Sequence, residues 1–206
     1  RKSFNNASRT LKRSISKINL SKSIFSGSKY IPSFKIVGNG GNSSVKINLR
    51  KNQTIILNHG SLSYLDTHID TKTKSQGGIF SGFLRSMLTT QSMFMTHFTG
   101  TQANNNLVCA SFLPGGMVPL LLKPGDKMVV SGHALLAFTP NLKLNTVTNF
   151  RGLIVQENIF MTEIENKDMN KGLVLLSAYG GFHKLEIPAG KSKKIGHGLF
   201  LATNDL

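Results

Sequence analysis

Tryptophan is absent from these 206 residues, cysteine occurs once, and no carboxylate is met before Asp66. Each absence excludes something. A lone Cys109 can form neither an intrachain disulfide nor a multi-cysteine zinc cage, and this usage fits a reducing compartment. No apolar run reaches the roughly 18 residues that a membrane-spanning helix needs. The longest, LVCASFLPGGMVPLLL from Leu107 to Leu122, is interrupted by Pro114, Gly115, Gly116 and Pro119. A soluble or peripheral protein is the expectation. Acidic groups number 9 against 25 Lys plus Arg, a net charge of +16, and the imbalance is uneven. From Phe34 onward 17 basic groups face the 9 acidic ones, a net +8, so half of the excess lies before Phe34.

That first part divides the chain. Residues 1–32 read as a basic, Ser-rich leader or arm, with Leu11, Ile15 and Ile18 at helical spacing and Lys12, Arg13 and Lys17 between them. An acid-free basic amphipathic pattern is the composition of organelle transit segments, and equally of a disordered basic arm. Residues 33–206 read as one β domain. FKIV, VKINL, TIIL, SLSYL, MFMTHF, NLVCASF, MVPLLL, KMVV, ALLAF, IFMTEI, GLVLLSAY, HKLEI and GLFLA are short β-favouring runs. Turn clusters such as GNGGNSS, KPGD and PAGKS separate them, which predicts an all-β fold.

The pattern repeats. VKINLRKNQTIILNHGSLSYL from Val45 matches VPLLLKPGDKMVVSGHALLAF from Val118 at an offset of 73, and LEIPAGKSKKIGHGLFLA from Leu185 matches at a further 65. MFMTHF aligns with IFMTEI, and LVCASFLPGG with LVLLSAYGGF, both at an offset of 66. Three units are read, at about 34–74, 92–147 and 158–206. One unit alone has too few strands to bury an apolar face, so the three are expected to share sheets.

The offset falls from 73 to 66 between Lys74 and Leu84, so the first copy carries a seven-residue insertion within 75–83. The stretch is GGIFSGF. Gly77, Gly78 and Gly82 permit tight turns, while Ile79, Phe80, Phe83, Leu84, Met87 and Leu88 recur at helical spacing. One short amphipathic helix near 79–88 is predicted. Burying each such side chain is worth about 1.5–3 kcal/mol, so the stripe is expected to cover its own β body, a neighbouring subunit, a partner or a membrane surface. These nine residues are the candidate interaction surface.

Several motifs in order, FKIVGNGG, GGIFSGFLRSMLTTQSMFMTHFTG, CASFLPGGMVPL, the LKPGD turn, LLSAYGGFHKLEI and GHGLFLA, resemble the altered-inheritance-of-mitochondria protein twenty-four family. The resemblance covers nearly all of 34–206. It implies a fold related to the tryptophan RNA-binding attenuation protein, with three small β modules of double-stranded β-helix or sandwich type in one chain and a ring-like homotrimer. It also implies a mitochondrial location and a role in inner-membrane organisation and the assembly of membrane complexes, with a peripheral membrane or membrane-complex partner. No catalytic residue is established for that family.

The residues themselves point the same way. Gly77 and Gly82 have P-loop spacing, but Phe83 and Leu84 stand where Lys and Ser or Thr are required. Of six histidines, His59, His68, His97, His133, His183 and His197, none forms an H-x-x-x-H pair. His59, His133 and His197 mark the same turn of the repeat, and Cys109 reads as a buried, space-filling thiol. Glu163 and Glu165 share a strand face on what reads as a solvated edge. The expectation is therefore a non-enzymatic oligomeric scaffold or assembly protein with no cofactor, no metal and no catalytic residue. A nucleic-acid-binding or other polyanion-binding β ring is the alternative, on net charge and fold analogy. A small-molecule-binding β-barrel is the second.

Overall fold

The turns give the chain its frame. In LKPGDK, Pro124 presets the first central position of the turn, and the second demands a positive φ. Gly125 supplies it at φ 83°, and Asp126 N donates to Lys123 O at 3.0 Å. Two other places are built alike. Gln53 N donates to Arg50 O with Asn52 at φ 63°, and Lys191 N donates to Pro188 O with Gly190 at φ 74°, both at 3.0 Å. A second turn follows each: Ser61 N to Asn58 O, Ala134 N to Ser131 O, and Leu199 N to Gly196 O.

The computed structural model describes residues 29–38, 41–58, 60–74, 95–147, 161–196 and 198–204. Fourteen strands and no helix lie among them. The first seven are β1 (Ser33–Val37), β2 (Ser44–Leu49), β3 (Thr54–Asn58), β4 (Leu62–Leu65), β5 (Asp70–Lys74), β6 (Met95–Thr99) and β7 (Asn105–Ala110). The second seven are β8 (Gly115–Leu122), β9 (Lys127–Ser131), β10 (Leu135–Phe138), β11 (Leu142–Thr146), β12 (Met161–Asn166), β13 (Gly172–Tyr179) and β14 (Ala202–Thr203). The expected short helix at 79–88 lies outside the described residues. All ladders are antiparallel, in three sheets: β1-β2-β7-β4, β5-β6-β3-β10-β13-β8 and β11-β12-β9-β14.

The six-stranded sheet is the middle layer. Its strands send alternate side chains to two cores. Leu173 and Leu175 join Val45, Ile47, Leu49, Leu107 and Cys109 of the first sheet. Val174 and Leu176 face the other way, onto Met128, Val130, Leu142 and Ile164 of the third. Ile55 and Leu57 divide from Ile56 in the same manner. A strand covered on both faces must be apolar at every position, which is why GLVLLSAY is a continuous run. An outer strand is covered on one face, and VKINL accordingly buries Val45, Ile47 and Leu49 while leaving Lys46 in water.

Two expected strands differ. HKLEI forms no ladder among the described residues, and Leu185 and Ile187 stay about half exposed, because a strand requires a paired neighbour. Of GLFLA only Ala202 enters a ladder, as the first of the two residues of β14, paired with β9.

Candidate interaction surface

The residues singled out in GGIFSGF and the following stripe, from Gly77 to Leu88, lie outside the described residues. Cys109 stands where its strand pattern put it. It is fully buried on β7, its Sγ donates weakly to Val45 O at 3.8 Å, and burial pushes its thiol up to about 12. A thiol so placed is neutral and a poor nucleophile. His59 and His197 fall outside the described residues. Among the described ones, no group of three or more His, Cys, Asp or Glu side chains is placed to hold a metal ion.

Glu163 and Glu165 correct one expectation. Their strand, β12, is not an edge but lies between β11 and β9. Glu165 is bracketed by Lys127 at 3.1 Å and Lys167 at 3.2 Å, and Glu163 accepts a hydrogen bond from Asn145 Nδ2 at 3.0 Å. Partial desolvation raises the Glu165 pKa, but the bonds and charges of the two lysines outweigh it and hold the carboxyl below its ordinary range. Cross-strand register explains the assembly: Glu165 faces Lys127 on one side and Lys143 on the other. This is an ion-paired and hydrogen-bonded sheet face, and Glu165 is held as the carboxylate.

At one end of the molecule the loop after β1, the loop after β7 and the segment after β13 meet. Gly115 bridges to Asn42 on one side and Gly180 on the other. Ser43 N donates to Gly115 O at 3.3 Å, Gly116 N to Gly180 O at 2.8 Å, and Gly180 N to Pro114 O at 3.1 Å. Glycine is required at the centre, since a Cβ on Gly115 would collide with the backbone carbonyl of Ala178. A Cβ on Gly116 would press the Phe182 ring at 3.3 Å, so that ring lies over the glycine.

Around this junction, beside the uncharged polar Asn42, Ser43 and Ser111, four large apolar side chains stand in water. Phe112 is 94% exposed, Tyr179 77%, Phe182 55% and Leu113 53%. No charged residue occurs from Ser111 to Leu122 or from Gly172 to Phe182. Sequence reasoning missed this apex, although a signal was present: the offset of 66 sets Leu113 against Tyr179, each beside a Pro-Gly or Gly-Gly pair.

Lysines stand one step behind. Lys35 and Lys46 are direct cross-strand partners on the outer face of the first sheet, both exposed, and the same row continues through Val108 to Tyr64. Like charges directly opposite one another are mutually destabilising unless an anion lies over them. Asp66, whose carboxyl feels the charge of Lys46, is itself engaged by Asn106, which donates from N at 2.6 Å and from Nδ2 at 3.2 Å. Lys184 follows Phe182 by two positions, with its Nζ 2.9 Å from Glu186.

Stacked antiparallel sheets with a bare apolar apex and a lysine row define an all-β protein whose distinctive chemistry lies on its surface. Comparison with known proteins supplies the family. The chain matches the mitochondrial biogenesis family AIM24 over residues 34–205, and it belongs to that family. Among solved structures it is similar to a Streptococcus pyogenes protein determined by a structural genomics consortium, at 25% identity and a TM-score of 0.54. That match covers 72% of this chain, which spans 65% of the Streptococcus chain. No curated protein matches significantly.

Proposed function

We propose that this chain is a non-enzymatic scaffold or assembly protein of the mitochondrial inner membrane, acting as a homotrimer of chains that each hold three β modules. The observation that carries the reading is membership of a mitochondrial biogenesis family across residues 34–205. The module reading draws support from the pairing scheme. β2–β7, β7–β4, β3–β6, β6–β5 and β3–β10 have counterparts at the sequence offsets in β8–β13, β13–β10, β9–β12, β12–β11 and β9–β14. The non-enzymatic reading draws support from the neutral Cys109 and the ion-paired Glu165.

In this reading the residues from Gly77 to Leu88 form a contact surface between subunits or toward a membrane-complex partner. Multi-angle light scattering of the full chain should give three times the chain mass, and deletion of 77–83 should lower it. Mitochondria lacking the protein should show fewer assembled inner-membrane complexes on native gels. A monomer at every concentration, together with unchanged complexes, would rule the reading out.

A net charge of +16 and the opposed Lys35 and Lys46 favour a second reading, polyanion binding. Its signature is RNA that copurifies and dissociates steeply as salt is added.

A further inference from the structure

We propose that the uncharged apex formed by residues 41–43, 111–116 and 179–182 inserts into the interface of an anionic lipid bilayer, with Phe112 leading. The inference rests on the membrane-linked reading above and assigns it a lipid-facing surface distinct from the 77–88 segment.

Three observations carry it. First, Phe112, Leu113, Tyr179 and Phe182 are gathered by the Gly115 junction and more than half exposed, although apolar side chains of this size are normally covered. Tyr179 has the apolar body and polar tip that a bilayer interface satisfies, and Phe112, Leu113 and Phe182 gain by entering the acyl boundary. Second, the apex carries no charge, whereas the chain as a whole carries +16. A charge at that tip would oppose entry into the acyl boundary; charges behind it would not. Third, two exposed lysines flank the apex on the strands that lead away from it. Lys35 precedes Gly38 by three positions and Lys46 follows Asn42 by four. At no more than about 3.3 Å per residue this keeps them within roughly 10–13 Å of Gly38 and Asn42, beside the Gly115 junction. Interfacial insertion buries an apolar face by about 5–10 Å, and flexible lysine stems span the remainder. The like-charged Lys35 and Lys46 pair is relieved when an anionic headgroup lies across it.

An acidic protein partner would use the lysines but leave Phe112 in water. A two-fold contact with a second copy of this chain would place one lysine row against another. An anionic bilayer matches both the apolar tip and the basic surround.

The absence of tryptophan supplies the test. In Phe112→Trp the full chain carries a single reporter at the tip. Vesicles of phosphatidylcholine with phosphatidylglycerol should shift its emission to the blue, and lipids brominated on their acyl chains should quench it; phosphatidylcholine alone should do so weakly. Phe112→Ser should lower the partition coefficient about tenfold, and Phe112→Ser with Tyr179→Ser about a hundredfold. Both sites are exposed, so thermal unfolding of the variants should match the wild type. Lys35→Gln with Lys46→Gln should weaken binding and flatten its salt dependence.

Vesicle binding with an unmoved tryptophan spectrum would overturn the apex while leaving the membrane-linked reading standing, since other basic segments would then be the contact. Failure of the wild type to bind either vesicle would also overturn it. Serine variants that bind vesicles normally but no longer form trimers would overturn it too, and would assign the apex to a subunit contact.

Discussion

Two buried asparagines hold the ends of β2 and β8. Asn105 Nδ2 donates to Leu49 O at 2.8 Å and to Gln102 O at 2.7 Å, while its Oδ1 accepts from Thr101 N and Gln102 N at 3.1 Å. Asn166 Nδ2 donates to Leu122 O at 2.8 Å and to Asn170 O at 2.9 Å. Leu49 and Leu122 stand at the sequence offset that relates VKINL to VPLLL. Removing such a side chain leaves buried carbonyls without donors, so Asn105→Ala should cost about 2–4 kcal/mol, read as a lower urea midpoint at unchanged slope. An unchanged midpoint would show that water replaces the amide. Cys109 makes a pH prediction. Its thiol is raised from 9.0 to about 12 in the folded chain, so above pH 9 the unfolded state releases a proton that the folded state keeps. Stability must then fall as pH rises past 9, and Cys109→Ala should remove that part of the slope. Under mildly basic conditions a thiol reagent should not react until the chain unfolds. The asparagine bonds were not legible in sequence, because their partners lie up to 56 residues away. The buried thiol was legible, because strand alternation with small neighbours implied it.

At the scale of elements, the middle sheet was readable and its margins were not. Continuous apolar runs such as GLVLLSAY mark strands covered on both faces. DTKTK and LKLNT, by contrast, carry no strand signal of that kind, yet they are β5 and β11. Both are sheet edges, laddered to one neighbour; DTKTK has no apolar residue at all, and LKLNT offers only Leu142 and Leu144, too short a signal to mark a strand. Conversely HKLEI has the pattern of a strand without a neighbour to pair with. Two glycine substitutions separate the causes of structure here. Gly115→Ala should collide with the Ala178 carbonyl and fray the β8–β13 ladder first. Its cost should be about 1–3 kcal/mol. Gly125→Ala meets open space and is penalised by its positive φ alone. That penalty is on the order of 1 kcal/mol. Amide exchange distinguishes them: faster exchange near Ala178 is expected only for the first. Equal exchange in both would mean that the β8 end adjusts without loss.

For the whole molecule, charge is the dominant long-range quantity. With 25 basic against 9 acidic groups, the folded chain repels itself more than the expanded one. The melting temperature should therefore rise when ionic strength is increased from a few millimolar to about 0.15 M, where the Debye length is about 8 Å. A falling melting temperature would mean that ion pairs such as Lys127–Glu165 outweigh the net repulsion.

The sequence by itself determined the all-β class, because short apolar runs between turn residues have no other way to be buried. It also determined where the tight turns fall, since Pro124, Gly125 and Gly190 prescribe backbone angles locally. The family followed from ordered motifs. Only the tertiary structure decided that three sheets stack with the longest in the middle, and that Gly115 joins three distant loops into one apolar apex. Turn geometry is set by neighbours in the chain, whereas strand partners and convergent loops are chosen by long-range packing. Phe112 and Tyr179 are far apart in the sequence and belong to one surface only once Gly115 and Gly180 have met.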